Sequence, residues 1–196
     1  MSIKEQTAAN DAERLQPIAV TVTFLEMRKP PGHYPHPPAN VNIALMKTRN
    51  MPLHFYRYLT DRVGRKWHWV NILRLSDEEL AAKIHKPERD IRVLFLDGAP
   101  AGFFDINPLK AGETEIAYFG MMDHVTGMGL GRWFLGAAIE AAWATGPDQI
   151  VVQTCTLDHP AALPLYQKLG FTPVGQKQEL VDPLPFEERS RSVMRP

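Results

Sequence analysis

Three glycines at alternate positions, Gly127, Gly129 and Gly131, follow the apolar run Ile116-Ala117-Tyr118-Phe119 and precede Arg132-Trp133-Phe134-Leu135. Lacking a Cβ, glycine lets backbone N–H groups approach a ligand closely. A helix opening at this point adds donors with no intrahelical partner and a field that favours anions. The chemistry so assembled is the holding of a diphosphate. Two familiar phosphate loops do not fit. A P-loop needs Lys followed by Ser or Thr after its last glycine, where Arg132-Trp133 stands, and a dinucleotide fingerprint needs a third glycine where Arg132 or Phe134 stands. The bland alternative is a glycine-rich turn that only lets a strand meet a helix closely.

Further along the chain comes His159-Pro160-Ala161-Ala162-Leu163-Pro164-Leu165-Tyr166-Gln167-Lys168-Leu169-Gly170-Phe171. Together the two segments resemble the GNAT superfamily of acetyl-CoA-dependent acetyltransferases. That family carries Arg or Gln, two residues, Gly, one residue, then Gly or Ala in its loop, followed later by Asn-x-x-Ala-x-x-x-Tyr-x-x-x-Gly-Phe. Gly129 and Gly131, then Ala162, Tyr166, Gly170 and Phe171, match that pattern, and the resemblance covers roughly residues 91–176. The family's loop Arg or Gln is Thr126 here and its Asn is His159. A backbone cradle does not depend on the first, and a histidine can still hydrogen-bond a pantetheine arm.

The resemblance implies an α/β fold: a mixed central sheet with helices on both faces, and two parallel strands splayed to admit CoA. The strand ending at Met122 and the strand ending near Cys155 would be those two. It also implies transfer of the acetyl group of acetyl-CoA directly to a primary amine in a ternary complex. Such transfer needs a base to take a proton from the amine, an acid to protonate the departing thiolate, and a backbone N–H or similar donor for the oxyanion. The family places Tyr166 beside the sulfur, where a phenol protonated at neutral pH serves as the acid. Glu115 matches a position where some members carry a glutamate base. Glu113, two residues away on the same strand face, is the fallback, and a water chain is a further route. Backbone groups of Met121 and Met122 would pair with the pantetheine. The amides of Gly127, Met128, Gly129, Leu130, Gly131 and Arg132 would receive the pyrophosphate, beside Thr126 and His159. The acceptor would meet Phe55, Tyr56, Tyr58, Trp67 and Trp69, although each of these aromatics also suits a core or lid. Two other readings stay open: a non-catalytic acyl-CoA-binding regulatory module, and a transferase using a longer acyl-CoA.

The elements that must position these groups are legible in outline. Ala19 to Leu25 alternates and is β-branched, which predicts a strand, and Val41 to Met46 predicts another. A proline-rich loop separates them. Helices are expected over 53–62 and from Ser76, whose Glu79 three residues on completes a capping box. Asp97-Gly98 predicts a hairpin. A strand over 115–122, a helix from Leu130 to Gly146-Pro147, a strand over 150–155, a helix carrying Tyr166 and a last strand from Phe171 follow. Pro164 is tolerated only in a helix's first turn, so that helix should start near Pro160 to Ala162. Trp67 and Trp69 alternate around His68, as in a strand or an extended lid. Residues 1–16 are expected to fray. The division read from these signals is an N-terminal extension over 1–40, with a strand and the proline-rich loop, and a GNAT-like domain over 41–196.

Composition narrows the partners. A formal net charge of +0 gives no basic field for nucleic acid. No apolar run reaches the length of a membrane span, and the first residues lack a signal peptide's apolar core, so a cytoplasmic protein without membrane contact is expected. The single cysteine, Cys155, excludes an internal disulfide framework and reads as a small buried apolar residue rather than a nucleophile paired with His159. His33 and His36 lack partner ligands, so no metal is expected. The expected acceptor is a small-molecule amine or a protein or peptide amine. A homodimer is one compatible assembly, with the first strand as the candidate to dock a second subunit.

Overall fold

A computed structural model describes residues 15–109 and 112–195; the polar stretch expected to fray lies, up to residue 14, outside the described residues. In chain order come β1 (Ile18–Met27), β2 (Ile43–Lys47), α1 (Leu53–Gly64), a 3-10 turn (Arg65–Trp67), α2 (Asn71–Arg74), α3 (Asp77–Ile84), β3 (Asp90–Leu96), β4 (Ala99–Pro108) and β5 (Glu113–Met121). After a second 3-10 turn (Asp123–Val125) follow α4 (Gly131–Trp143), β6 (Gln149–Cys155), α5 (Ala162–Lys168), β7 (Thr172–Val181) and α6 (Phe186–Val193).

The local chemistry accounts for most of these boundaries. Ser76 Oγ accepts from the Glu79 amide at 3.2 Å while the Glu79 carboxylate accepts from the Ser76 amide at 2.8 Å, which fixes the start of α3. Asp97 and Gly98 have φ of 50° and 84°, the two positive values that a tight β3–β4 hairpin requires. Pro164 is the third residue of α5, inside the first turn, where its missing N–H costs nothing.

The strands form one sheet in the order β2-β3-β4-β5-β6-β1-β7. Every neighbouring pair is antiparallel except β5 and β6, so the sheet is mixed, as expected. Helices α4 and α5 cover one face over a core containing Phe104, Ile106, Phe134, Leu135, Ala138, Ile150 and Val152. The segment from α1 to α3 covers the other face with Tyr56, Leu59, Ile72 and Leu80, packed on Ile91, Val93 and Phe103. The strand at residues 18–27 lies inside the sheet: β6 pairs with one edge (Val22 opposite Cys155) and β7 with the other (Thr21 opposite Gln178). From Val22 to Glu26 both edges of β1 are therefore occupied within the chain.

Two irregularities shape the middle of the sheet. Asp105 faces Tyr118 while the next residue, Ile106, faces Ile116, so Ala117 is an extra residue in β5. Such a bulge switches side-chain parity: Ile116 joins the core under α4, and Tyr118 packs on the α1 face. The second irregularity is a divergence. β5 and β6 pair only at Glu113–Gln149, Thr114–Ile150 and Glu115–Val151. Beyond these, β5 continues along β4 as far as Gly102–Met121, and β6 continues along β1 as far as Val22–Cys155. The carboxyl halves of the two parallel strands thus leave each other, opening a gap between Met121 and Cys155.

Candidate active site

The gap is the centre of the site, and its walls come from four elements. On the β5 side, the Met122 amide donates to Ala101 O at 2.8 Å. That N–H is consequently spent on β4 and does not pair with a ligand arm as the sequence suggested. Successive strand amides point to opposite edges, so the Met121 amide faces the gap.

The glycine segment forms the floor. Gly127 and Gly129 take φ of 85° and 76°, and a Cβ at either would project into open space. The φ values explain the glycines, and the open space leaves the neighbouring backbone accessible. The first helical bond of α4 runs from the Phe134 amide to Leu130 O. Among the described residues no acceptor within the protein takes the amides of Gly127 or of the five consecutive residues Gly129, Leu130, Gly131, Arg132 and Trp133, and Leu130 supplies no side-chain cap. The Met128 amide is the exception, bonded at 3.4 Å to Val125 O. Thr126 turns its hydroxyl inward to Met122 O at 3.3 Å, and Arg132 is exposed. A run of unspent donors at the positive end of a 13-residue helix fits a diphosphate. Gly129→Val is accordingly expected to weaken acetyl-CoA binding by roughly tenfold to a hundredfold, from backbone strain of about 1–3 kcal/mol and a side chain standing beside the unspent amides. Calorimetric titration measures the loss, and unchanged affinity would remove the cradle.

Tyr166 closes the gap on the α5 side. It is buried, with its ring edge-on to Phe119 at 6.4 Å and to Phe171 at 5.7 Å. Burial, with the negative charge of Asp158 adding to it, pushes the phenol well above the ordinary tyrosine range, so it stays protonated. His159 uses Nδ1 to accept from the Ala161 amide at 3.0 Å, steadying the turn into α5. Burial likewise pushes the Cys155 thiol up, as does Asp158, which disfavours a thiolate nucleophile.

Glu115 stands on β5 at the last paired position below the gap, half-buried, and accepts from Asn107 Nδ2 at 3.3 Å. Its fallback Glu113 is engaged by Gln149 Nε2. On the same face Asp105 is fully buried and accepts from Arg89 Nε (2.6 Å), Arg89 Nη2 (2.8 Å) and Tyr56 Oη (2.6 Å).

The aromatic residues divide. Tyr56 is completely buried and tied to Asp105, so it belongs to the interior and not to an acceptor wall. Phe55 and Tyr58 stack on each other at 6.0 Å on the outer side of the α1 core. Trp67 ends a 3-10 turn, and His68 is left-handed with φ 55°, so the strand or extended lid read from the alternation is absent. That left-handed residue swings Trp69 over the gap. Its indole packs on Tyr118 at 5.2 Å and donates from Nε1 to Asp158 at 3.2 Å, while Trp67 meets the His159 ring at 5.4 Å. A Cβ on Gly64 or Gly120 would collide with Trp69 or Val63, so both glycines make room for this arrangement.

Sequence reasoning missed Asp158. Its signal was local: a carboxylate in the Thr154-Cys155-Thr156-Leu157-Asp158 turn, where aspartate bonds back to nearby backbone. Among the described residues no group of three His, Cys, Asp or Glu is placed to hold a metal ion, and no helix is long and apolar enough to cross a membrane.

No curated protein matches the chain as a relative. Solved structures do. A GCN5-related N-acetyltransferase from Sphaerobacter thermophilus is similar over 93% of this chain and 58% of its own, at TM-score 0.61 and 14% identity. A tandem GNAT protein from the clavulanic acid biosynthesis pathway is similar over 93% and 59%, at 0.54 and 16%. AAC(6')-Iy, solved with a CoA-linked bisubstrate analogue of acetylneamine, is similar over 67% and 91%, at 0.50 and 17%. At these identities the likeness is one of fold, and the chain spans about three-fifths of the length of the first two. The sequence pattern of the Acetyltransferase (GNAT) family matches residues 52–171, from the start of α1 to the end of the Tyr166 segment, and the chain therefore belongs to the GNAT family of acetyltransferases.

Proposed function

We propose that the protein transfers the acetyl group of acetyl-CoA directly to a primary amine held in the same complex. The observation that carries this is the coincidence of the β5–β6 divergence with the run of unspent amides from Gly129 to Trp133 at one end and the buried, protonated Tyr166 beside it. Acetyl-CoA supplies the activated thioester; the amide run binds its diphosphate, and the gap receives the pantetheine. Glu115 takes a proton from the amine, directly or through water, as the C–N bond forms. Tyr166 gives its proton to the sulfur as the C–S bond breaks. The Met121 amide, facing the gap, is the donor nearest the place where the oxyanion charge develops.

The first test is calorimetric titration with acetyl-CoA, with NADH and ATP as controls, followed by an amine screen read by thiol release. Saturable binding of acetyl-CoA alone together with release on adding an amine supports the reading. Binding without release to any amine supports a non-catalytic acyl-CoA-binding module, and tighter binding of a longer acyl-CoA supports a different donor. Glu115→Gln is expected to lower kcat about tenfold or more while leaving acetyl-CoA affinity unchanged. An unaltered rate would assign the proton to a water chain.

A further inference from the structure

Three carboxylates stand on the acceptor face of the sheet near the gap, and their partners differ. Asp105 is neutralised by Arg89. Glu115 has the amide of Asn107 and lies within electrostatic reach of Arg89. Asp158 has only neutral donors: Thr154 Oγ1 (2.8 Å) and the Cys155 amide (2.9 Å) on Oδ2, and Trp69 Nε1 (3.2 Å) on Oδ1. Among the described residues it has no cationic partner. It is half-buried in the turn that follows β6, the strand that leaves β5 to make the gap. Its field reaches the phenol of Tyr166.

Two of its three donors belong to its own turn and hold the carboxylate still. The third comes from across the gap. Trp69 reaches Asp158 from the β5 side, standing on Tyr118 and over Gly120, so this one bond spans the opening through which an acceptor must come. An ammonium that takes the place of the indole makes a stronger bond to the carboxylate than a neutral indole does.

We propose that Asp158 is the positioning residue for the acceptor, binding the ammonium of a cationic amine, and that the Trp69 indole occupies this position until the amine displaces it. This rests on the acetyl-transfer reading above and names its substrate class: an amine that arrives charged, or carries a second cationic group. Asp158 holds the acceptor, and Glu115, on the opposite wall, takes the proton.

The test uses the full chain labelled with 15N-tryptophan and saturated with acetyl-CoA. The chain has four tryptophans, and the indole resonance of Trp69 is the one lost in Trp69→Phe. Millimolar n-butylammonium is expected to shift that resonance and n-butanol to leave it in place, and Asp158→Asn is expected to abolish the difference while binding acetyl-CoA within twofold of the parent. With the best amine from the screen, Asp158→Asn should raise KM for the amine tenfold or more and change kcat less. Asp158→Glu should recover most of the loss, and Trp69→Phe should leave the amine KM equal or lower. An amine KM within twofold of the parent in Asp158→Asn, a rise in Trp69→Phe as large as that in Asp158→Asn, or an equal response to the alcohol would overturn the assignment. If no amine is acetylated, the transfer reading fails by itself, and the ammonium-specific shift still decides whether Asp158 is the anchor.

Discussion

Tyr166→Phe is expected to lower kcat by about a hundredfold to ten-thousandfold, the span a positioned acid contributes, while the calorimetric affinity for acetyl-CoA stays within a few-fold of the parent. The ring contacts with Phe119 and Phe171 survive the substitution, because only the hydroxyl is removed. The two readouts therefore separate chemistry from packing. The pH profile gives an independent check. A tyrosine with an ordinary value near about 10 would begin to lose its proton on the alkaline side of the accessible range. Burial and the nearby Asp158 charge raise the phenol above that value. A raised value means that the donor form persists as pH increases, so kcat should show no alkaline decline near the ordinary tyrosine range. Equal activity in Tyr166→Phe would remove this residue as the acid.

Asp105→Ala is expected to destabilise the fold by about 3–5 kcal/mol, the cost of leaving one partner of a buried ion pair alone. Total stabilities of domains run to only about 5–15 kcal/mol, so the loss is a large share. The deletion strands the Arg89 guanidinium and the Tyr56 hydroxyl together, because Asp105 is the acceptor for both. Arg89 Nη1 keeps only the Lys83 carbonyl at 3.1 Å. Urea unfolding followed by circular dichroism measures the change; a midpoint close to the parent's, at an unchanged slope, would show that the pair contributes little. Asp105→Leu combined with Arg89→Met is expected to recover part of the loss, since it removes both charges instead of one. The damage should extend to the site, because Asp105 lies opposite Tyr118 beside the Ala117 bulge.

Features encoded within a few residues were readable from the sequence. The Ser76–Glu79 box, the Asp97-Gly98 turn, the opening of α4 after Gly129 and the start of α5 ahead of Pro164 each depend on neighbours in the chain. The divergence of β5 from β6 was legible only through the family resemblance, since nothing in Glu115 to Met121 announces where a parallel partner stops following. Partnerships across the molecule were not legible. Alternation in Ala19 to Leu25 marks a strand but does not say between which strands it lies. Nothing near Arg89 or Asp105 in the chain announces that the fold buries them against each other. Trp67-His68-Trp69 has the alternation of a strand, and the left-handed turn at His68 overrides it because Trp69 packs into the space left by Gly64 and Gly120.

The place of β1 sets an order on folding. The strand at residues 18–27 leaves the ribosome well before residues 149–155 and 172–181, the segments that flank it in the finished sheet. At a synthesis rate of roughly 5–20 residues per second, the stretch Ile18-Ala-Val-Thr-Val-Thr-Phe-Leu25 waits for several seconds with both hydrogen-bonding edges bare. A β-branched, uncharged run in that condition invites pairing with other nascent chains. The distant contacts that finally enclose it belong to the class that forms slowly. Yield from cells should therefore respond to growth temperature and to chaperone supply through this strand more than through the catalytic half of the molecule.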